Sequence, residues 1–307
     1  MSSISEKRPQ PTTLSALRLT VDHARITDQV LSHQYPGAGT PESPYIVSFL
    51  PSDPGNPFNW SKSYKWTCTM ITAVATLSTA FASSAYSGTL RELVTAFDPN
   101  PSLELLTAGI SLFVLGFAVG PLLWAPLSEI YGRQVIFVIT FGAFTAFNAA
   151  CAGAKNVQSL LVLRFLAAAF GSSPFTNAGG VIADMFDASE RGLAMSLFAL
   201  APSLGPTLGP FIGGFLGESP IGGWRWVMGL MAIFSGVLWI AQSIVVPETY
   251  APVLLKKRAE KLSTMTGKVY KSAVEVKRGE VSVKAIMVTS LTRPWILLFM
   301  EPVRLPS

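Results

Sequence analysis

Leu115-Gly-Phe-Ala-Val-Gly-Pro-Leu-Leu-Trp-Ala-Pro-Leu-Ser-Glu-Ile-Tyr-Gly-Arg-Gln134 decides the fold: an apolar, glycine-studded run closes on a short charged turn, and a second apolar run begins at once. Two runs that are each long enough to cross a bilayer, joined by so short a polar link, predict antiparallel membrane helices connected on one face. Glu129 and Arg133 stand four residues apart at this water-facing corner, where a carboxylate and a guanidinium can pair without the cost of burial in hydrocarbon.

Working outward, half of the 307 residues are hydrophobic and 13% are charged, against roughly a quarter charged in a soluble domain. The chain therefore reads as an integral membrane protein with the lipid bilayer as its surroundings. Its net charge of +5 does not point to nucleic acid, because ten Lys and Arg lie in the single segment 247–293, and basic loops beside membrane spans report topology. Cys68 and Cys151 fall inside apolar spans, so neither a disulfide nor a metal spacing is offered and no cofactor is expected. The two histidines, His23 and His33, lie in a polar tail, and no pair of acids falls within the spans. Intramembrane hydrolysis lacks its base or its dyad, so the chain does not read as an enzyme.

Six apolar spans are expected at 66–86, 105–127, 135–153, 160–182, 192–217 and 226–246, each near the twenty or so residues a crossing helix needs. The fold class predicted is an all-α membrane protein, a six-helix transmembrane bundle over 65–246. Around it lie a polar, proline-containing tail over 1–64, expected to be disordered, a basic segment over 247–293, and at 294–307 an apolar start too short to cross. Lys and Arg outside the spans concentrate on one side, which places both termini in the cytosol.

Polar residues within the spans are the candidates for function. Thr69, Thr72, Thr76, Thr79, Ser83 and Tyr86 recur at spacings of three and four and share one face of the first helix. That face either lines a cavity or packs against another helix. Arg164 sits within the fourth span, where an ionisable group is expensive enough to suggest function, although snorkelling toward the end near Lys155 would also place it. Thr72, Thr76, Ser83 and Arg164, with Asn177, are expected on a face open to lipid or to another chain. In the fifth span Gly205, Gly209, Gly213 and Gly217 recur every fourth residue, and Pro206 and Pro210 remove ladder donors. Such a stripe allows close backbone approach and offers a surface for self-association. Asp184 to Gly192, with Glu190 and Arg191, and Pro247-Glu248-Thr-Tyr250 bring both signs of charge to the face of Arg133, suited to a breakable ionic latch.

Three of these stretches carry a resemblance. Ala125-Pro-Leu-Ser-Glu129-Ile-Tyr-Gly132-Arg133-Gln134 is similar to the loop 2–3 signature of the major facilitator superfamily. Leu163-Arg164-Phe-Leu-Ala-Ala-Ala-Phe-Gly-Ser-Ser-Pro174 resembles that family's helix 4 arginine motif. Gly205-Pro206-Thr-Leu-Gly209-Pro210-Phe-Ile-Gly213-Gly214 resembles the antiporter signature of its drug exporters, specifically the fungal drug:proton branch. The resemblance implies the N-terminal half of a fold made of two six-helix halves, each of two inverted three-helix repeats, with small amphiphilic substrates and protons handled between them. It implies a substrate and proton pathway at Thr72, Thr76, Ser83, Tyr86, Arg164 and Asn177. Conformational roles fall to Glu129, Gly132, Arg133, Glu190, Arg191, Glu248, Gly205, Pro206, Gly209, Pro210, Gly213 and Gly214. A plasma-membrane multidrug exporter is the expected whole; this chain is expected to be a truncated half, inactive alone. The other expectation is a non-transporting half that pairs with a full-length relative.

Overall fold

The computed structural model describes residues 24, 26–97, 99–217, 223–278, 288 and 292. The expected start of a further span at 294–307 lies outside the described residues, as do residues 1–23 and most of 279–293. Helices and strands run in the order α1 (Asp28–Ser32), β1 (Tyr45–Val47), α2 (Lys62–Ala85), α3 (Leu90–Ala96), α4 (Leu103–Tyr131), α5 (Arg133–Ala152), α6 (Val157–Gly171), α7 (Ser173–Met185), α8 (Ala188–Gly217), α9 (Gly223–Val245), α10 (Ala251–Thr266), β2 (Tyr270–Ser272) and α11 (Ala273–Arg278).

Among the described residues six helical segments are long and apolar enough to cross a membrane: α2 with α3, α4, α5, α6 with α7, α8, and α9. Several begin earlier than hydropathy alone predicts, because polar caps satisfy their first amide groups. Ser61 Oγ accepts from the Tyr64 N–H at 3.4 Å, Ser102 Oγ from Leu105 at 3.2 Å and Asn156 Oδ1 from Ser159 at 2.8 Å. The main helix pairings are α2 on α8, α4 on α6 and α5 on α9. Tyr86, Phe113, Phe141, Phe144 and Leu160 fill the core between them.

The glycine stripe of α8 faces α2 of the same chain. A Cβ at Gly205 would run into Ala80 and the Phe81 nitrogen, one at Gly209 would lie 2.7 Å from the Ala85 nitrogen, and one at Gly213 would strike the Ala85 carbonyl. Ser84 Oγ donates across this contact to the Gly205 carbonyl at 3.1 Å. The expectation that these glycines present a surface for self-association is therefore wrong. Every fourth residue does define a close-contact face, but the first span already occupies it. Pro206 and Pro210 lie on the exposed side of the same uninterrupted helix.

A second correction concerns the tail over 1–64, expected to be disordered. From Ile26 onward the described residues are folded: β1 pairs parallel with β2, Tyr45 opposite Tyr270 and Val47 opposite Ser272. Val30, Tyr35 and Val47 bury against Ala259 and Leu262 of α10. Asp53 forms a buried ion pair with Arg258, 205 residues later. Neither segment has enough apolar surface to fold alone, and together they close a small cluster beside the bundle.

Candidate functional site

The site is built around the turn between the second and third spans. Gly132 ends α4 at φ 101°, a conformation that favours glycine, and Arg133 opens α5. Glu248, just past the end of α9, reaches over this turn. Its carboxylate accepts from the backbone N–H of Arg133 at 3.0 Å and of Gln134 at 3.2 Å, and also from Thr249 at 3.0 Å and Tyr250 at 2.9 Å. A carboxylate at the start of α5 is where the orphan amides and the helix dipole favour negative charge. Any Cβ at Gly132 would collide with it, so close approach and backbone conformation both require glycine there.

Glu248 is 1% exposed. Burial pushes its carboxyl above the usual range, and the four N–H donors pull against that shift without cancelling it. Because the folded state holds this proton more tightly than the unfolded chain, Glu248 contributes most stability at pH below the ordinary glutamate value. That contribution declines as the pH rises through the folded value.

Arg133 turns its guanidinium the other way. Its Nε donates to Asp184 Oδ2 at 2.6 Å, the Tyr250 ring lies 5.0 Å from its carbon, and the Thr249 hydroxyl donates to the same Asp184 oxygen at 3.2 Å. Gly180, one turn before Asp184, makes room for the guanidinium, since a Cβ there would strike it. The corner thus ties the ends of the second, third, fourth and sixth spans. Glu190 pairs with Lys62 at 2.6 Å near the start of α2, in a largely solvated position, and Arg191 lies against the Ala183 and Phe186 carbonyls that end α7. An exposed pair such as Lys62–Glu190 is worth about 1 kcal/mol or less.

Glu129 does not pair with Arg133. It is exposed, and among the described residues no hydrogen-bond or ion-pair partner is found for it. The Gly132 turn sends Arg133 toward Asp184, away from the end of α4. Glu129→Gln is therefore expected to leave the folded yield of residues 1–307 and their thermal midpoint in detergent unchanged. A large loss of yield would show that Glu129 has a structural partner after all.

The interior residues differ from expectation. Arg164 is 1% exposed. Its Nε donates to the Gly109 carbonyl at 3.2 Å and a terminal nitrogen to the Ser83 carbonyl at 3.4 Å. Its guanidinium carbon lies 3.8 Å from the Tyr86 ring centre and 4.9 Å from that of Phe113. It neither snorkels nor faces lipid: two carbonyls and two aromatic faces hold it between α2, α4 and α6. Tyr86 is fixed in turn by its hydroxyl, which donates to the Leu106 carbonyl at 2.9 Å.

Thr72, Thr76 and Ser83 donate to their own helix, to the carbonyls of Cys68 at 2.8 Å, Ala73 at 2.7 Å and Ala80 at 2.7 Å. Asn177 donates to Ser173 Oγ at 3.0 Å. The expected open face is thus inside the bundle, because α2 and α7 are covered by α8, α5 and α9. Arg164 lies against Ser83 and Tyr86, two of the residues that the resemblance groups with it. Sequence reasoning missed Gly180, Thr249 and Gln242, whose partners come from other spans.

Comparison with known proteins places this geometry in a family. A family profile described as Major Facilitator Superfamily matches residues 72–304. An MFS-type efflux pump from Trichophyton rubrum is 56% identical over 95% of this chain and 49% of its own length. A major facilitator superfamily multidrug transporter from Aspergillus fumigatus is 58% identical over 93% of the chain and 46% of its own. The chain thus spans about half the length of these curated relatives. Among solved structures, the proton:xylose symporter XylE superposes with a TM-score of 0.58 at 19% identity, covering 80% of this chain and 57% of that one, which is a likeness of fold. With a six-helix bundle, a Gly132–Arg133 turn closed by acids from two other spans, and a family match over most of its length, the chain belongs to the major facilitator superfamily.

Proposed function

We propose that residues 1–307 supply the N-terminal six-helix half of a proton-coupled exporter of small amphiphilic molecules, and that this half moves substrate only together with a second six-helix half. The observation that carries this reading is the identity of 50–58% to three efflux pumps and multidrug transporters, each of which the chain spans over about half its length. The distribution of Lys and Arg favours the Gly132 corner on the cytosolic side, and the reading takes the plasma membrane as the exporter's location. There the Arg133–Asp184–Glu248 cluster acts as the latch that a transport cycle loosens. Arg164, held against Tyr86, is the residue of the proton and substrate route.

The test is flux. Proteoliposomes containing residues 1–307 alone are expected to show no efflux driven by a pH gradient. Efflux should return when the C-terminal half of a close relative is co-expressed and co-purified. Robust pH-driven flux from residues 1–307 alone, abolished by Arg164→Ala, would replace this reading with a homodimeric transporter. Co-purification with a full-length relative without restored flux would favour a regulatory half.

A further inference from the structure

Behind the charged corner, between α2, α5, α7 and α9, lies a small cavity lined by Thr72, Arg133, Phe137, Asn177 and Gln242. Asn177 is 2% exposed, and its Oδ1 has no hydrogen-bond partner among the described residues. A buried acceptor left without a donor is destabilising, because it has lost its water without replacement. Gln242, 4% exposed, is short of a donor as well. Its Oε1 lies 3.4 Å from Thr72 Oγ1, but that hydroxyl has one proton and the Cys68 carbonyl is nearer, at 2.8 Å. With Gln242 Nε2 donating to Thr72 Oγ1 at 3.3 Å, the Gln242 oxygen is left short of a proton, and Gln242 and Asn177 line the same cavity. Two buried acceptors without a full set of donors therefore belong to residues lining one cavity, and the only cationic side chain among those lining residues is Arg133, whose Nε is committed to Asp184.

We propose that this cavity is a binding site for one water molecule, which donates to Asn177 Oδ1 and Gln242 Oε1 and accepts from Arg133. The space open to the centre of a water is 10 Å³. Roughly 10–15 Å³ on that measure holds one water, and about three hydrogen bonds are usual for a buried one. The water joins the charged corner to α7 and α9: a movement of Arg133 away from Asp184 alters a hydrogen bond that reaches Asn177 in α7.

Hydroxyl-radical footprinting of the intact chain in detergent tests this, because radiolysis of a bound water labels the side chains around it. Phe137, which lines the cavity, is expected to be labelled several-fold faster than Phe141 and Phe144 on the same helix, which are all but fully buried. Asn177→Leu and Gln242→Leu, each removing one acceptor, should bring Phe137 down to the rate of Phe141. If Phe137 in the unmodified chain reacts no faster than Phe141, the proposal fails whether or not either variant folds. If Phe137 stays fast in both folded variants, solvent is entering through the corner and the held water is likewise refuted.

Discussion

Gly213→Ala is expected to abolish the folded bundle, whereas Gly214→Ala, the next residue, leaves it intact or slightly more stable. The two glycines share a helix, a sequence signature and a loss of one hydrogen atom for one methyl. They differ in what the methyl meets. At Gly213 it would enter the carbonyl of Ala85 in α2, with the Ala85 Cα 3.1 Å away. These are backbone atoms at the end of α2, within the most buried of the spans, so no rotamer change relieves the contact and α2 and α8 must separate.

Overpacking a tight core typically costs about 1–3 kcal/mol, and here the separation also breaks the neighbouring contacts at Gly205 and Gly209 and the Ser84–Gly205 hydrogen bond. At Gly214 nothing lies within 4 Å of the added carbon, and Ala is favoured over Gly in a helix by about 0.5–1 kcal/mol. Monodispersity on size exclusion and the thermal midpoint in detergent read both variants. Equal behaviour of the two would mean that α8 does not pack on α2 through this stripe. A Gly213→Ala protein that folds but fails to self-associate would reinstate the glycines as an intermolecular surface.

That contrast also marks how far the sequence was legible. The period of four identified a face of close backbone contact from residues alone, because only glycine lets two helices approach so nearly. It carried no information on which helix fills the face, since a lipid-facing dimer and an intrachain pair need the same residues. The corner behaves similarly. Gly132-Arg133 was readable as a turn from the two apolar runs around it, and Asp184 and Glu248 were readable as acids on the same face. That Glu248 caps α5 while Asp184 takes the guanidinium depends on how four span ends converge. Gly180 had no signal at all, because a glycine inside an apolar helix reads as ordinary small-residue packing. Arg164 was visible as an anomaly, but its neutral environment of carbonyls and rings is assembled from three spans, so sequence left its placement open between snorkelling and a functional interior.

Breaking the Asp53–Arg258 pair is expected to release the segment before α2 from α10 while leaving the membrane spans folded. Both side chains are almost fully buried, and the Asp53 carboxylate also accepts from the Gly55 N–H at 2.8 Å, while Arg258 lies over the Phe49 ring at 5.2 Å. Truncating one member of such a pair leaves the other charge buried and unmatched, a change worth about 3–5 kcal/mol. The surrounding cluster of Val30, Tyr35, Val47, Ala259 and Leu262 is small and cannot offset that loss, so Asp53→Ala or Arg258→Met should each unfold it locally. Limited proteolysis within the exposed stretch 37–43 is expected to accelerate by at least an order of magnitude, a conservative lower bound for a loss of that size, with the thermal midpoint of the bundle little changed. The double variant Asp53→Leu with Arg258→Met removes both charges and leaves apolar groups in their place, so it should be cut more slowly than either single variant. Cleavage rates that do not respond to the single variants would mean that the segment is held by its apolar contacts alone. A double variant cut faster than both singles would mean that the pair supplies net stability to the cluster beyond mutual neutralisation.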